Sequence, residues 1–197
     1  MGSTANYKPT PGAALPAILL SPTSTAEQIV PSAALTVVPV AGGTVLENLA
    51  LVCSIPSGSI LEGQEWGGSI SGRSVVGAAG NLTLNLYGSI AAITSLATAH
   101  AGVLLKSSGA VALGAASTDP FLIKLSNCIF DSTSGKLVGE VEMIVGGTLV
   151  AKSLFTNAVT GVNNQGSVPT FNLAISAQWS VANAANELVV ENFEIDF

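Results

Sequence analysis

The stretch Phe171-Asn172-Leu173-Ala174-Ile175-Ser176-Ala177-Gln178-Trp179 places an apolar residue at every second position. Successive side chains of a β-strand point to opposite faces, so this alternation predicts a strand with one face against an apolar core. The same period of two recurs in Asn81–Tyr87 and in Glu187–Phe197. In the last of these runs, Glu191 is expected to share the mostly apolar face, and Glu194 is expected to lie on the opposite one.

Runs of this kind fill most of the chain, and turn-forming residues such as Pro56-Ser57-Gly58 and Gly146-Gly147 separate them. The predicted strands are Leu35–Val40, Thr44–Ile55, Ser59–Val76, Asn81–Tyr87, Ile90–Thr98, Phe121–Phe130, Lys136–Val145, Thr148–Phe155, Thr170–Val181 and Glu187–Phe197. Ala91–His100 fits a short helix as well as it fits a strand. Many short strands in one chain are typical of a β-sandwich or barrel, so we predict an all-β, jelly-roll-like β-sandwich over residues 35–197.

The first 34 residues differ from the rest, because six of the nine prolines fall before position 40. Proline fixes φ and favours an extended neighbour, so residues 1–34 are predicted to form an extended arm. Only Lys8 and Glu27 are charged in this arm, whereas a disordered tail, the alternative, is usually more polar. Its apolar residues are therefore expected to pack on their own domain or on a neighbouring subunit. The predicted assembly contacts are Leu15, Ile18, Leu19, Leu20, Ile29 and Val30.

Charged residues make up 9% of the chain, against roughly 25% in an average soluble protein. A surface with so little charge suits a protein that neighbouring molecules largely cover. The net charge is −6 and the six basic residues are scattered, which argues against nucleic-acid binding. The most apolar long stretch, Ser89–Ala116, contains His100, Lys106 and many Ser, Thr and Gly residues, so we predict no membrane-spanning helix.

Candidate catalytic residues are few. A Ser–His–Asp triad would need His100, the one histidine, as its base and Asp119 or Asp131 as the partner of that base. Glu140 and Glu142 lie two apart on a predicted strand, as the carboxylate pair of a glycoside hydrolase could. The cysteines and the histidine have no zinc-like spacing. We predict that the protein is not an enzyme and has no catalytic, cofactor-binding or metal-binding residues.

The aromatic residues and the cysteines each allow two interpretations. Trp66, Tyr87 and Trp179 could stack on a sugar, although Trp179 continues an apolar alternation that is typical of a core. Cys53 and Cys128 lie within strand-like runs. They could form one disulfide, but small buried apolar side chains are the favoured interpretation.

Two segments resemble small β-sandwich structural proteins encoded among the virion genes of tailed bacteriophages. Leu49–Gly63 consists of a strand, the turn Ile55-Pro56-Ser57-Gly58 and a second strand. Ala177–Val190 consists of a strand, a turn rich in Asn and Ala, and the start of a final strand. The resemblance covers about residues 45–197 and carries no catalytic residues. Several of the proteins it resembles are capsid decoration (cement) proteins, and others belong to necks, tails or fibres.

The resemblance implies a role in stabilising a virion shell. We therefore expect a capsid decoration protein on the capsid surface, whose partners are the major capsid protein and neighbouring copies of itself in a dimer or trimer. The start of the chain lacks the charged region of a secretion signal, so synthesis in the host cytoplasm is expected. The alternative is a carbohydrate- or receptor-binding tip domain of a tail, neck or head fibre. A hydrolase that uses His100 and the Glu140/Glu142 pair is the third hypothesis.

Overall fold

The computed structural model describes residues 18–19, 26–29, 35–37, 47–55, 57, 60, 63–131, 136–158, 170–181, 183 and 185–196. Within these ranges there are thirteen strands and one short helix. The strands are β1 (Ile18–Leu19), β2 (Ala26–Ile29), β3 (Leu35–Val37), β4 (Glu47–Ile55), β5 (Glu65–Val76), β6 (Gly80–Ser89), β7 (Val103–Ser107), β8 (Val111–Leu113), β9 (Ser117–Asp131), β10 (Lys136–Val145), β11 (Thr148–Ala158), β12 (Phe171–Trp179) and β13 (Glu187–Asp196), and the helix is α1 (Leu96–His100).

The strands form two sheets that face each other, and this confirms the predicted all-β sandwich. The six-stranded sheet has the order β1-β4-β12-β6-β7, with β8 also paired to β6. The seven-stranded sheet has the order β11-β10-β9-β5-β13-β2, with β3 also paired to β13. The chain passes repeatedly from one sheet to the other between β4 and β13, which gives the sandwich its jelly-roll-like character, while β9, β10 and β11 form a meander.

The alternating sequences place their apolar rows in the space between the sheets. In the six-stranded sheet, Leu84 of β6 lies opposite Ala177 of β12, and Leu86 lies opposite Ile175. All four side chains are buried in one cluster that also includes residues of the seven-stranded sheet. Burial of such rows supplies the main stabilisation of a sandwich, at roughly 25 cal/mol per Å² of apolar surface.

Three aromatic rings pack together inside this core. Trp66 of β5 stacks on Phe130 of β9 with ring centroids 5.9 Å apart. Phe130 also meets Phe171 of β12 edge-on, at 5.0 Å. Since Phe171 belongs to the opposite sheet, this cluster joins the two layers of the sandwich.

Gly72 marks a point where two strands approach closely. A Cβ added there would lie 2.0 Å from the carbonyl oxygen of Val189 on β13 and 3.0 Å from the ring of Phe121 on β9. A β-bulge in β13, between Val190 and Asn192, shifts the register beside this contact. No side chain fits at position 72 unless the backbone moves.

The structure corrects several predicted boundaries. The predicted strand Ser59–Val76 is shorter, because β5 begins at Glu65. The predicted strand Ile90–Thr98 is wrong and the alternative of a short helix within Ala91–His100 is confirmed, because Leu96–His100 forms α1 with Ser95 as its N-cap. Thr98 and Ser95 cap this helix reciprocally, which stabilises a single turn that the alternation of apolar residues does not reveal.

The bulge in β13 overturns one prediction of facing. Leu188, Val190, Phe193 and Ile195 all lie in the core, so the inward phase shifts by one residue between Val190 and Phe193. Glu191 is consequently turned away from the core, where it forms an ion pair with Arg73 of β5. A bulge inserts one extra residue into a strand, and a strict count by two fails across it.

Part of the predicted arm joins the sandwich through its backbone. β1 pairs in parallel with β4, with Ile18 opposite Cys53. β2 pairs antiparallel with β13, with Ile29 opposite Phe193. These two segments therefore add to both sheets of their own chain, while the division into residues 1–34 and 35–197 stays a prediction.

Both cysteines are free and buried, which confirms their interpretation as small apolar residues rather than a disulfide. Burial raises the pKa of the Cys53 thiol far above its usual range. Burial, together with the negative charge of Glu65, raises the pKa of Cys128 to about 12. Neither thiol is ionised near neutral pH, so neither is a nucleophile in the folded protein.

Candidate functional site

The first candidate site lies on the outer face of the six-stranded sheet, around His100. The segment that contains α1 covers this face with a small apolar cluster, in which Ile93 and Ala99 pack on Leu49, Val52 and Ala174. His100 is the last residue of α1, and its ring lies 5.4 Å from the ring of Tyr87 on β6. Helix α1 thus places His100 beside a set of polar side chains from the sheet beneath it.

Glu47 is the centre of that polar group. Its Oε1 accepts hydrogen bonds from Asn85 Nδ2 at 3.1 Å, from Tyr87 OH at 3.2 Å, and from the hydroxyl of Ser176. Its Oε2 lies 3.2 Å from His100 Nε2. The side chain of Glu47 is 11% exposed, whereas that of His100 is 46% exposed.

The surroundings of Glu47 shift two pKa values. Burial acts to raise the pKa of the Glu47 carboxyl, but the hydrogen bonds from Ser176, Asn85 and His100 outweigh it and lower this pKa. The pKa of Tyr87 is raised by burial and by the neighbouring carboxylate. Glu47 is therefore held as an anion that orders its donors.

This arrangement differs from the triad considered from the sequence. Ser176 donates to the carboxylate of Glu47 and not to His100, so its hydroxyl is not paired with the histidine as a Ser–His–Asp triad requires. Asp119, a predicted partner of His100, lies on β9 of the other sheet and accepts a hydrogen bond from Ser117 Oγ at 2.6 Å. Asp131 is the last residue of β9. Through its contacts with Glu47 and Tyr87, His100 links α1 to the sheet beneath it.

We expect Glu47→Gln to destabilise the protein by about 1–3 kcal/mol, because an amide replaces a carboxylate that accepts four hydrogen bonds. Since the folded-state pKa of Glu47 is lowered, its carboxylate stabilises the folded protein above the ordinary glutamate pKa. This contribution to the free energy of unfolding is lost as pH falls through the folded-state pKa. Urea unfolding at neutral pH and at low pH measures both effects. Glu65→Gln, which changes an exposed carboxylate, is the matched control. An equal unfolding midpoint for both variants at neutral pH would contradict this account.

The predicted carboxylate pair Glu140/Glu142 lies on the outer face of the seven-stranded sheet, and Lys152 of β11 binds both residues. Lys152 Nζ lies 3.2 Å from Glu142 and 3.6 Å from Glu140. The hydrogen bond to Glu142 and the charge of Glu140 raise the pKa of Lys152. The two carboxylates thus share one cation, unlike an acid and a nucleophile that act across a glycosidic bond.

A polar row crosses five strands of this face. Glu194 of β13 lies opposite Ser69 of β5, and Ser69 lies opposite Lys124 of β9. Lys124 lies opposite Glu142 of β10, and Glu142 lies opposite Lys152 of β11. Beside this row is a shallow groove of about 480 Å³, lined among others by Glu65, Lys124, Asn127, Glu194 and Asp196.

The aromatic residues considered as a sugar platform are part of the interior. Trp66 and Trp179 are each 2% exposed, and Tyr87 is 7% exposed. Trp66 borders the groove, but its ring faces Phe130 and Phe171 in the core. These rings therefore offer no stacking surface for a ligand in this conformation.

Large apolar side chains are exposed instead. Leu154 is 78% exposed and Leu149 is 53% exposed, and both belong to β11 at the edge of the seven-stranded sheet. The remaining large apolar side chains in the described part of the chain that are exposed are Leu104, Val138 and Val181. Leu154 and Phe155 are neighbours, so one of the two had to face outward, and the sequence alone does not say which.

The predicted assembly contacts fall partly outside the description. Leu15, Leu20 and Val30 lie outside the described residues. Ile18 and Leu19 form β1, and Ile29 ends β2, so their backbone pairs within the chain. Their role as assembly contacts stays a prediction.

No family model matches the chain, and no curated protein is similar to it at a significant level. Across the described ranges, no helix is long and apolar enough to cross a membrane. The same ranges contain no group of three or more His, Cys, Asp or Glu residues placed to hold a metal ion.

Proposed function

We propose that the protein is a structural virion protein that binds and stabilises an assembled phage capsid. The observation that carries this proposal is the outer surface of the seven-stranded sheet, where Leu149 and Leu154 are exposed on a chain with few charges. Burial of these exposed side chains against a partner protein would remove apolar surface from water.

Such a protein stabilises a shell by burying surface at its contacts with the shell. Each copy removes apolar and small polar surface from water at several contacts, and many copies on one shell make individually weak contacts persistent. The sandwich core supplies rigidity, since its aromatic cluster joins the two sheets through Phe130 and Phe171. The major capsid protein and neighbouring copies are the proposed partners.

The polar clusters support this proposal because the structure engages them in internal contacts. Glu47 orders four donors beneath α1, and Lys152 forms ion pairs with both Glu140 and Glu142. A sugar-binding tip domain is less well supported, because Trp66, Tyr87 and Trp179 are buried. It predicts quenching of tryptophan fluorescence by sugars, which the proposed structural role does not.

We expect purified protein to sediment with assembled capsids and to raise their resistance to heating. The measurement is co-sedimentation, followed by negative-stain imaging of particles with and without the protein after stepwise heating. Leu154→Asp is expected to reduce binding, whereas Glu65→Gln, which changes a residue outside β11, is the control. If the protein never associates with capsids, and if shells are equally stable without it, the proposal is wrong.

A further inference from the structure

The two ends of the seven-stranded sheet differ in their side chains. At one end, β11 is the last strand of the hydrogen-bonded order within the described part of the chain, and it exposes Leu149 and Leu154. At the other end, β13 is followed outward by the short strands β2 and β3. A long strand at the edge of a sheet is a template for pairing with another chain.

The two ends also differ in charge. β11 carries Lys152 and no carboxylate, and Lys106 of β7 reaches it, since its Nζ donates to Ser153 Oγ at 2.7 Å. The adjacent β10 adds Lys136, Glu140 and Glu142. In total, three lysines and two carboxylates lie on or beside β11. This end therefore has a small positive charge.

The opposite end is acidic. β13 carries four carboxylates and no cation, at positions Glu187, Glu191, Glu194 and Asp196. Arg73 of β5 offsets one of them through its ion pair with Glu191.

From this polarity we infer that copies of the chain associate head to tail, with the β11 end of one copy against the acidic β13 end of the next. Joining two β11 ends would bring like-charged lysines together, and joining two β13 ends would bring carboxylates together. Head-to-tail contact pairs opposite charges and covers Leu154. Such a heterologous contact closes into a ring or extends as a chain, unlike a two-fold dimer.

This inference deepens the proposed function and rests on it, because it names the surface by which neighbouring copies meet on a shell. The shell-binding test and the self-association test remain separable. Capsid binding by a chain that stays monomeric at every concentration would overturn the inference and leave the proposed function standing. Head-to-tail association by a chain that never binds capsids would overturn the proposed function and leave the head-to-tail contact standing.

Two single-sided variants test the contact. Leu154→Asp changes the β11 end, and the double variant Glu194→Lys/Asp196→Lys changes the β13 end. Val181→Asp adds a carboxylate at an exposed apolar residue outside both strands and is the control. Sedimentation velocity of the full chain measures mass over a range of concentrations and at low and high salt. Thermal unfolding of each variant establishes that it is folded.

We expect the unaltered chain and Val181→Asp to form trimers or longer species that dissociate at high salt. Each single-sided variant alone is expected to be monomeric, because one of its two ends cannot bind. An equimolar mixture of the two variants retains one intact pair of ends and is expected to give a dimer and nothing larger. A mixture that stays monomeric, or a β13-end variant that still self-associates as the unaltered chain does, would overturn the head-to-tail contact.

Discussion

Replacing Gly72 by alanine is expected to destabilise the protein by about 3 kcal/mol, near the upper end for overpacked cores. The added Cβ would lie 2.0 Å from the carbonyl oxygen of Val189, and both atoms belong to backbones that are held in adjacent strands. Relief therefore requires β5 and β13 to separate, which weakens the hydrogen bonds between them. A flexible side chain could have moved aside, but a carbonyl oxygen within a sheet cannot do so at low cost.

Urea unfolding monitored by circular dichroism measures this effect. Gly114→Ala is the matched control, because a Cβ at that position meets nothing within 4 Å. We expect the control to change the free energy of unfolding by less than about 0.5 kcal/mol. Equal unfolding midpoints for the two alanine variants would show that β5 and β13 are farther apart than described.

Replacing Phe130 by alanine is expected to cost about 3–5 kcal/mol, the range for removing a large aromatic side chain from a core. Phe130 is fully buried, and its ring contacts Trp66 in its own sheet and Phe171 in the opposite one. Its removal leaves a cavity where the two layers meet. Neither neighbouring ring can fill this cavity without leaving its own packing position.

The control for this variant is Leu149→Ala, which also truncates an apolar side chain on a long strand of the seven-stranded sheet. Leu149 is 53% exposed, so its truncation is expected to have little effect on the unfolding of the isolated chain. Thermal unfolding in a calorimeter measures both variants. A small loss of stability for Phe130→Ala would mean that the aromatic cluster does not join the sheets.

Sequence periodicity predicted strands best where the register is regular. β12 and β6 follow the alternation of Phe171–Trp179 and Asn81–Tyr87 closely, because these strands pair without an interruption between them. The bounds of β13, Glu187–Asp196, agree with the predicted strand Glu187–Phe197, but the facing of its side chains was not predicted, because a register shift between Val190 and Asn192 interrupts the alternation. No local pattern encodes that shift.

The candidate surfaces were harder to predict than the strands. Glu47 gathers donors from β6, β12 and α1, and its partners lie between 38 and 129 positions away along the chain. No spacing rule connects residues that only the folded sheets bring together. The exposure of Leu154 likewise depends on which face of β11 turns toward the core, and the adjacent apolar pair Leu154-Phe155 fits either choice.

Chemical modification of the two buried thiols can report local opening of the folded protein. Cys53 lies on β4, opposite Ile18 of β1, whereas Cys128 lies on β9 of the other sheet. Because burial suppresses thiolate formation at both positions, an alkylating reagent reacts only when the chain around a cysteine opens. The modification rates of the two residues therefore measure separately how often the chain opens around β4 in one sheet and around β9 in the other.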